Sequence, residues 1–290
     1  GLSQLFQYIS DFESGMNNDI VMQKYRETKA ENETLFFTAT DTPTLIQTAS
    51  SSNLQNFKQN QKRVAVISLN GTMSIQGGLC TDGIDAFCRR IEEAKADPNI
   101  IGAVVKTYSG GGDALAAQRA GIAIDSFREH KPIVAFGDYI GSGAYLVASK
   151  TNEIIAGGNM SEFGSIGVVI QVDKRILDDI KENMLSIYAE GSEDKHDVMK
   201  ALLEERYDFL QNKRLNPIRQ EFLQIVKSGR PNVKEQALTG SMYFAKEAKK
   251  LGLIDRIGNL DTAIARVITL NRRYNSRRNA KKMNQNVSRN

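Results

Sequence analysis

Tryptophan is absent from this 290-residue chain, and proline (five), histidine (two) and cysteine (two) are scarce. Scarce proline excludes a Pro-rich linker architecture. Two cysteines, Cys80 and Cys88, exclude a disulfide framework and make a reducing compartment the default. Their spacing matches no metal-ligand pattern, so both read as packing residues and neither a metal nor an organic cofactor is expected. No run reaches the ~18 apolar residues that a membrane-spanning helix needs. No secretory signal is visible at the N-terminus either. Together these point to a cytoplasmic protein without a membrane span. The chain begins at Gly1 rather than Met, which leaves room for a removed upstream segment, an N-terminal anchor included.

What is present is ordinary for a folded protein: 41% apolar and 25% charged residues. The net charge of +4 is unevenly spread. The last twenty residues, Asn271 to Asn290, carry seven Lys or Arg and no acid, so the rest of the chain has a net charge of −3. Such an end reads as a disordered basic tail, residues 271–290, with no specific nucleic-acid partner implied.

Residues 1–61 form a polar N-terminal arm, with one helical pattern over Asn18 to Lys29 and a linker, TASSSNLQNFKQNQK, over Thr48 to Lys62. From Arg63 the texture changes. RVAVISL reads as a buried strand. A helix is predicted over Asp82 to Ala96, a strand over Ile101 to Tyr108 and a helix over Ala114 to Glu129. The strand IVAFG and a helix over Ala144 to Lys150 follow. Short strands are expected at Glu153 to Ala156 and Ile166 to Val172. Strands alternating with helices imply an α/β fold with a mostly parallel sheet. Beyond Asp173 the pattern is mainly helical, with one long amphipathic stretch from Asp197 to Lys227 bent at Pro217.

Two glycine-rich turns fall at the C-terminal ends of strands, where α/β proteins build their sites. Gly141-Ser142-Gly143 places a serine between a strand and a helix. It can be a nucleophile on a sharp turn, with helix N–H groups nearby for an oxyanion. It can equally be the N-cap of the helix AYLVASK, the simpler reading of the trio alone. Ser109-Gly110-Gly111-Gly112-Asp113 puts three entropically costly glycines after a buried strand, so its backbone must approach something closely. Neither a P-loop nor a GxGxxG order is present.

A serine nucleophile needs a base. His130 sits at a predicted helix end as a capping histidine. His196 lies in a polar loop. Lys195, in GSEDKHD, has Glu193, Asp194 and Asp197 around it, and by local composition reads as an exposed loop lysine.

The ordered segments RVAVISLNGTMS, YSGGGDALAAQRA, KPIVAFGDYIGSGAYLVASKTNEIIAG, FGSIGVVI, GSEDKHDVM and LTGSMYFAKEAKKLGLIDRIGNLDTAI resemble the signal peptide peptidase A family of serine peptidases. That family includes phage head maturation proteases. The resemblance covers Arg63 to Leu270, roughly three-quarters of the chain. It implies a ClpP/crotonase-like fold of repeated β-β-α units with a mainly helical C-terminal part, over a peptidase domain at 62–270. It also implies Ser142 as nucleophile and Lys195 as general base. Backbone N–H groups of Gly111, Gly112 and Gly143 would form the oxyanion hole, and Ser165 would orient the lysine amine. In relatives that lysine can come from a neighbouring protomer, which implies a homo-oligomer with a shared site. The expected substrates are signal peptides or capsid and scaffold proteins. Gly110 stands where the family commonly has proline, and Lys174 and Lys200 are the fallback bases. Two other classes compete: a non-catalytic scaffold or assembly protein, and an acyl-CoA enzyme of the crotonase kind.

Overall fold

A computed structural model describes residues 34–40, 45–48, 61–77 and 83–287; for 45–48 and 277–287 only the backbone is considered. The predicted helix Asn18 to Lys29, residues 49–60 of the predicted linker, and Cys80 lie outside the described residues. The chain divides into two compact units. One takes in the described residues up to Ile166 and again from Ile225, and the other is Gly167–Gln224.

The first unit is a mixed α/β structure. Its strands are β1 (Thr34–Thr38), β2 (Leu45–Thr48), β3 (Arg63–Asn70), β4 (Ile100–Ser109), β5 (Ile133–Gly141), β6 (Glu153–Ala156), β7 (Glu162–Gly164), β8 (Met242–Phe244) and β9 (Arg256–Ile257). They form one sheet in the order β2-β1-β3-β4-β5-β6-β9. The β3-β4-β5-β6-β9 run is parallel, while β1 is antiparallel to both its neighbours. Parallel neighbours need crossovers. Here these are α1 (Ile84–Ala96), α2 (Ala114–His130) and α3 (Ser142–Ser149). The expected β-β-α units are present in reduced form. Their second strands shrink to Met73 and Gly112, joined by a parallel bridge, and to β7.

The central strands read as continuous apolar runs because both sheet faces are covered. Alternate residues Val64, Val66, Val104, Val134, Phe136 and Ile155 cluster with Ala263, Ile264, Val267 and Ile268 of the last helix, α9 (Leu260–Val287), which follows the short α8 (Ala245–Lys250). That spacing is one helical stripe. Full burial of each Ile or Val there stabilises by about 1.5–3 kcal/mol. Cys88, on α1, is half-buried as a packing residue, and burial pushes its thiol pKa up.

The basic end departs from expectation. Residues 271–287 continue α9 as helix rather than forming a disordered tail. The first turns of α9 are already nucleated by packing, so extension costs only propagation. Tyr274 then pins the helix beyond residue 270. Its hydroxyl donates to the Arg128 carbonyl (2.9 Å) and accepts from Asn152 Nδ2 (3.3 Å).

The second unit is mainly helical, as expected, but its elements are shorter. Ile166 to Val172 forms no strand. The single helix expected over Asp197 to Lys227 is divided into α5 (Asp197–Leu203), α6 (Tyr207–Leu210), a π-helical turn (Gln211–Leu215) and α7 (Asn216–Gly229), following α4 (Lys174–Asn183). Glu205 ends α5 in the left-handed conformation (φ 54°), and the Arg206 N–H closes onto the Ala201 carbonyl (2.8 Å). Pro217 has no N–H to offer the preceding turn, and the π turn sits directly before it.

Candidate active site

Strand β5 ends at Gly141, and the chain turns sharply into α3. Gly141, in extended backbone, is the residue before the helix, and no side chain caps it. Ser142 is therefore not an N-cap serine. It is the first residue of α3 and holds φ 50°, a left-handed conformation that costs a non-glycine residue about 1–2 kcal/mol. Such strain persists only where surroundings over-determine it. Here Gly143 to Ser149 are all buried while Ser142 is half-buried. The fully buried Tyr145 donates its hydroxyl to the Leu253 carbonyl (2.8 Å). Next to Leu253, Asp255 receives both guanidinium nitrogens of Arg230 (2.7 and 2.9 Å) and the Ile154 N–H (2.7 Å). The helix that carries Ser142 is thus tethered from behind.

The glycine loop after β4 faces this turn. Gly111 (φ 92°) lies so close that a Cβ there would fall 2.5 Å from Gly143 N and 2.9 Å from Ser142 Cβ. Gly112 (φ 150°) packs against Met73, whose carbonyl oxygen would lie 2.3 Å from a Cβ. Neither position admits a side chain, which explains Gly111 and Gly112. Of the three donors expected to face an oxyanion, Gly111 is engaged elsewhere: its N–H is donated to Ser109 Oγ (3.1 Å). The remaining pair is Gly112 and Gly143. Gly143 sits in the first turn of α3, where no intrahelical acceptor is in reach.

Ser165 is brought to the same place by strand pairing. The parallel register of β5 on β7 runs Tyr139 with Glu162, Ile140 with Phe163 and Gly141 with Gly164. Ser165 directly follows the last residue of β7, as Ser142 follows the last residue of β5, and it also holds a left-handed φ (52°). The Ser165 N–H is donated to the Ser241 carbonyl (2.8 Å), and its Cβ lies 3.5 Å from where a Gly141 Cβ would be.

The bases divide differently. His130 Nδ1 pairs with the Ser126 carbonyl (3.0 Å) at the end of α2, in the capping role expected. Among the described residues of the first unit, no lysine or histidine is hydrogen-bonded to Ser142. Lys195, His196, Lys174 and Lys200 all belong to the second unit, and all four are exposed. Lys195 closes a turn with its N–H on the Ser192 carbonyl (3.0 Å). Two of the acids around it have partners of their own. Asp197 is bound by Arg214 (2.9 and 3.0 Å), whose guanidinium holds its carboxyl below the usual range. Glu193 accepts the Gly191 N–H (3.0 Å), and backbone N–H groups hold it low too.

A strained serine at a strand-to-helix turn, facing glycine backbone on a parallel sheet, defines the class of site. The model of peptidase family S49 matches residues 125–272, and the chain belongs to that family. It is 27% identical over 223 residues to the chloroplastic serine protease SPPA of Arabidopsis thaliana, covering 70% of this chain and 32% of that one. Protease 4 of Salmonella typhi is 28% identical over 221 residues, covering 71% and 34%. A candidate protease of Methanocaldococcus jannaschii is 25% identical over 187 residues, covering 62% and 60%. The chain thus spans about a third of the first two relatives and three-fifths of the third. Among solved structures, ClpP1 from Listeria monocytogenes gives a TM-score of 0.44 at 9% identity, covering 69% of this chain and 94% of that one. A membrane-bound stomatin-specific protease in complex with a substrate peptide gives 0.40 at 15% identity, covering 70% and 78%.

Sequence reasoning passed over two residues now seen at the site. Ser109 stood in plain view before the three glycines, and its hydroxyl partners were not inferable. Tyr145 reads as one more apolar position of α3 until the Leu253 carbonyl is placed beside it.

Proposed function

We propose that the chain is a serine peptidase that hydrolyses peptide bonds through an acyl-enzyme, with Ser142 as nucleophile and Lys195 as general base. The observation that carries this reading is the left-handed Ser142 set against the Gly111-Gly112 backbone. Family membership and the protease names of its relatives support it.

In this mechanism the neutral Lys195 amine takes the Ser142 hydroxyl proton as the oxygen attacks the scissile carbonyl carbon. The carbonyl electron pair becomes an oxyanion, held by the Gly112 and Gly143 N–H groups. A preorganised donor of this kind contributes about 3–4 kcal/mol to the transition state. Collapse breaks the C–N bond, and the lysine ammonium returns its proton to the leaving amine. Water then attacks the ester, gives its proton to the same lysine, and releases the acid as Ser142 is reprotonated. Ser165, which follows β7 as Ser142 follows β5, orients the amine. An exposed lysine needs desolvation to act as base. A second copy of the chain closing over the turn at Lys195 supplies it, and the site is then shared between protomers. Among the described residues no carboxylate forms an ion pair with Lys195, which favours this use. Substrates are peptides or extended protein segments, whether signal peptides or capsid proteins.

The test is covalent labelling by a fluorophosphonate, read by intact mass, on the wild type, Ser142→Ala and Lys195→Ala. Labelling of the wild type alone is expected. Undiminished labelling of Lys195→Ala moves the base to Lys174, Lys200 or His196. No labelling of the oligomeric wild type leaves the non-catalytic scaffold as the better reading.

A further inference from the structure

We propose that Ser109 is a positioning residue whose hydroxyl takes up the Gly111 N–H and anchors the glycine loop, so that the loop's oxyanion donor is the Gly112 N–H and not that of Gly111. This rests on the peptidase reading above.

Ser109 is the last residue of β4 and only 2% exposed. Its Oγ donates to the Gly71 carbonyl (2.6 Å) and accepts the Gly111 N–H (3.1 Å). A hydroxyl has one proton to give, so these two bonds fix its direction. In the next peptide unit, across the Gly111 Cα, the Gly111 carbonyl accepts the Met73 N–H (2.8 Å). The peptide unit is planar and trans, so the N–H of Gly112 points opposite to the Gly111 carbonyl. It therefore points away from Met73. The next bond, Asp113 N–H to the Met73 carbonyl (2.9 Å), completes the parallel bridge and holds Gly112 from its other side. In such a bridge the residue opposite the doubly bonded one turns its own N–H away from its partner. The side it turns to is that of the nucleophile turn: Gly112 N lies 3.7 Å from where a Gly143 Cβ would be. Two N–H groups, from Gly112 and from the first turn of α3, thus flank Ser142.

Replacing Ser109 by alanine strands the Gly111 N–H in a buried place. A three-glycine loop has little steric resistance to rotating that peptide to find another acceptor. Rotation swings the Gly110 carbonyl and changes φ at Gly111, and the variant also loses the Ser109 tie to Gly71 in the segment that carries Met73, so the next peptide, with the Gly112 N–H, is held less firmly on its target. The loss belongs to the transition state, because the donor is aimed at where charge develops.

The experiment uses the full chain and a fluorogenic peptide substrate, with rates normalised to active sites titrated by fluorophosphonate. Ser109→Ala is expected to lower kcat per titrated site by roughly 10–100-fold with KM within about twofold. Affinity for a peptide boronate, which forms a tetrahedral adduct on serine, should fall by the same factor. Ser109→Thr, which keeps the hydroxyl, should recover most of the loss. An unchanged kcat per titrated site overturns the proposal, since a purely structural role lowers the number of active sites and not their rate. A crystal structure of the wild-type boronate adduct removes any dependence on how the variants fold. The boronate oxygen should accept from Gly112 N and Gly143 N; an oxygen held by Gly111 N overturns the proposal alone. If no adduct forms at Ser142, the peptidase reading fails and this proposal fails with it.

Discussion

At the residue scale, the site depends on backbone positions that tolerate no side chain and on one tyrosine that holds them. Gly111→Ala should be severe, because φ 92° disfavours any L-residue and the new Cβ meets the backbone nitrogen of Gly143 at 2.5 Å. We expect phosphonate labelling to slow at least about 100-fold, since a displacement near 1 Å of the reacting groups costs that much. Circular dichroism should show the sheet intact. Tyr145→Phe leaves the Leu253 carbonyl without its buried donor, which costs about 1–3 kcal/mol. Burial pushes the Tyr145 pKa upward, so the hydroxyl stays protonated across the working pH range. The loss in melting temperature should therefore be the same at pH 6 and pH 9; a difference between the two would show that this hydroxyl ionises.

Elements interact here through a few polar joints laid over the apolar core. Glu153, at the start of β6, receives Arg266 of α9, with Nε at 2.9 Å and a second nitrogen also bonded, and Arg256 of β9 at 3.0 Å. Burial alone would raise its pKa, but the two guanidiniums outweigh that and lower it. A carboxyl lowered in the folded state contributes stability above its unfolded pKa of ~4.3 and loses it as pH falls through the folded value. Glu153→Gln should thus melt lower than wild type at pH 7, by about 1–3 kcal/mol in free energy, and the gap should narrow as pH falls below the unfolded value of ~4.3 and close below the folded one. A gap that persists in acid would mean that packing, not charge, joins β6 to α9. The same helix supplies a second test. Tyr274→Phe removes both hydrogen bonds that pin α9 past residue 270 and should lower stability by about 1–2 kcal/mol, measured by urea denaturation.

For the whole molecule, the decisive fact is that the proposed nucleophile and the proposed base lie in different units. Ser142 is in the unit that holds the sheet and Lys195 is in Gly167–Gln224. If the base is supplied by a neighbouring protomer, mixing Ser142→Ala with Lys195→Ala after dissociation and reassembly should restore activity. Equal amounts should recover about a quarter of wild type, because one pairing in four joins an intact serine to an intact lysine in a randomly mixed oligomer. No recovery would place both residues of each site in one chain.

Much of the frame was legible in the residues themselves. Strands buried on both faces appear as unbroken runs such as Val64 to Leu69, and glycine turns mark where those strands end. The positions of β3, β4, β5 and α2 could therefore be read directly. Asp113 capping α2 through the Leu115 and Ala116 N–H groups (2.7 and 3.0 Å) is local chemistry of the same kind. Other features depend on partners distant in sequence. A serine at an N-cap and a serine in a strained left-handed turn look alike until Gly111 packs against one of them. The basic end reads as disordered until Tyr274 finds Arg128 and Asn152. That the Gly111 N–H is engaged depends on the Ser109 hydroxyl, which is itself anchored on the Gly71 carbonyl. Burial pattern and turn chemistry are local and periodic, so the sequence carries them openly. The direction of a single peptide plane is set by hydrogen bonds between segments some forty residues apart, and only the folded chain brings those together.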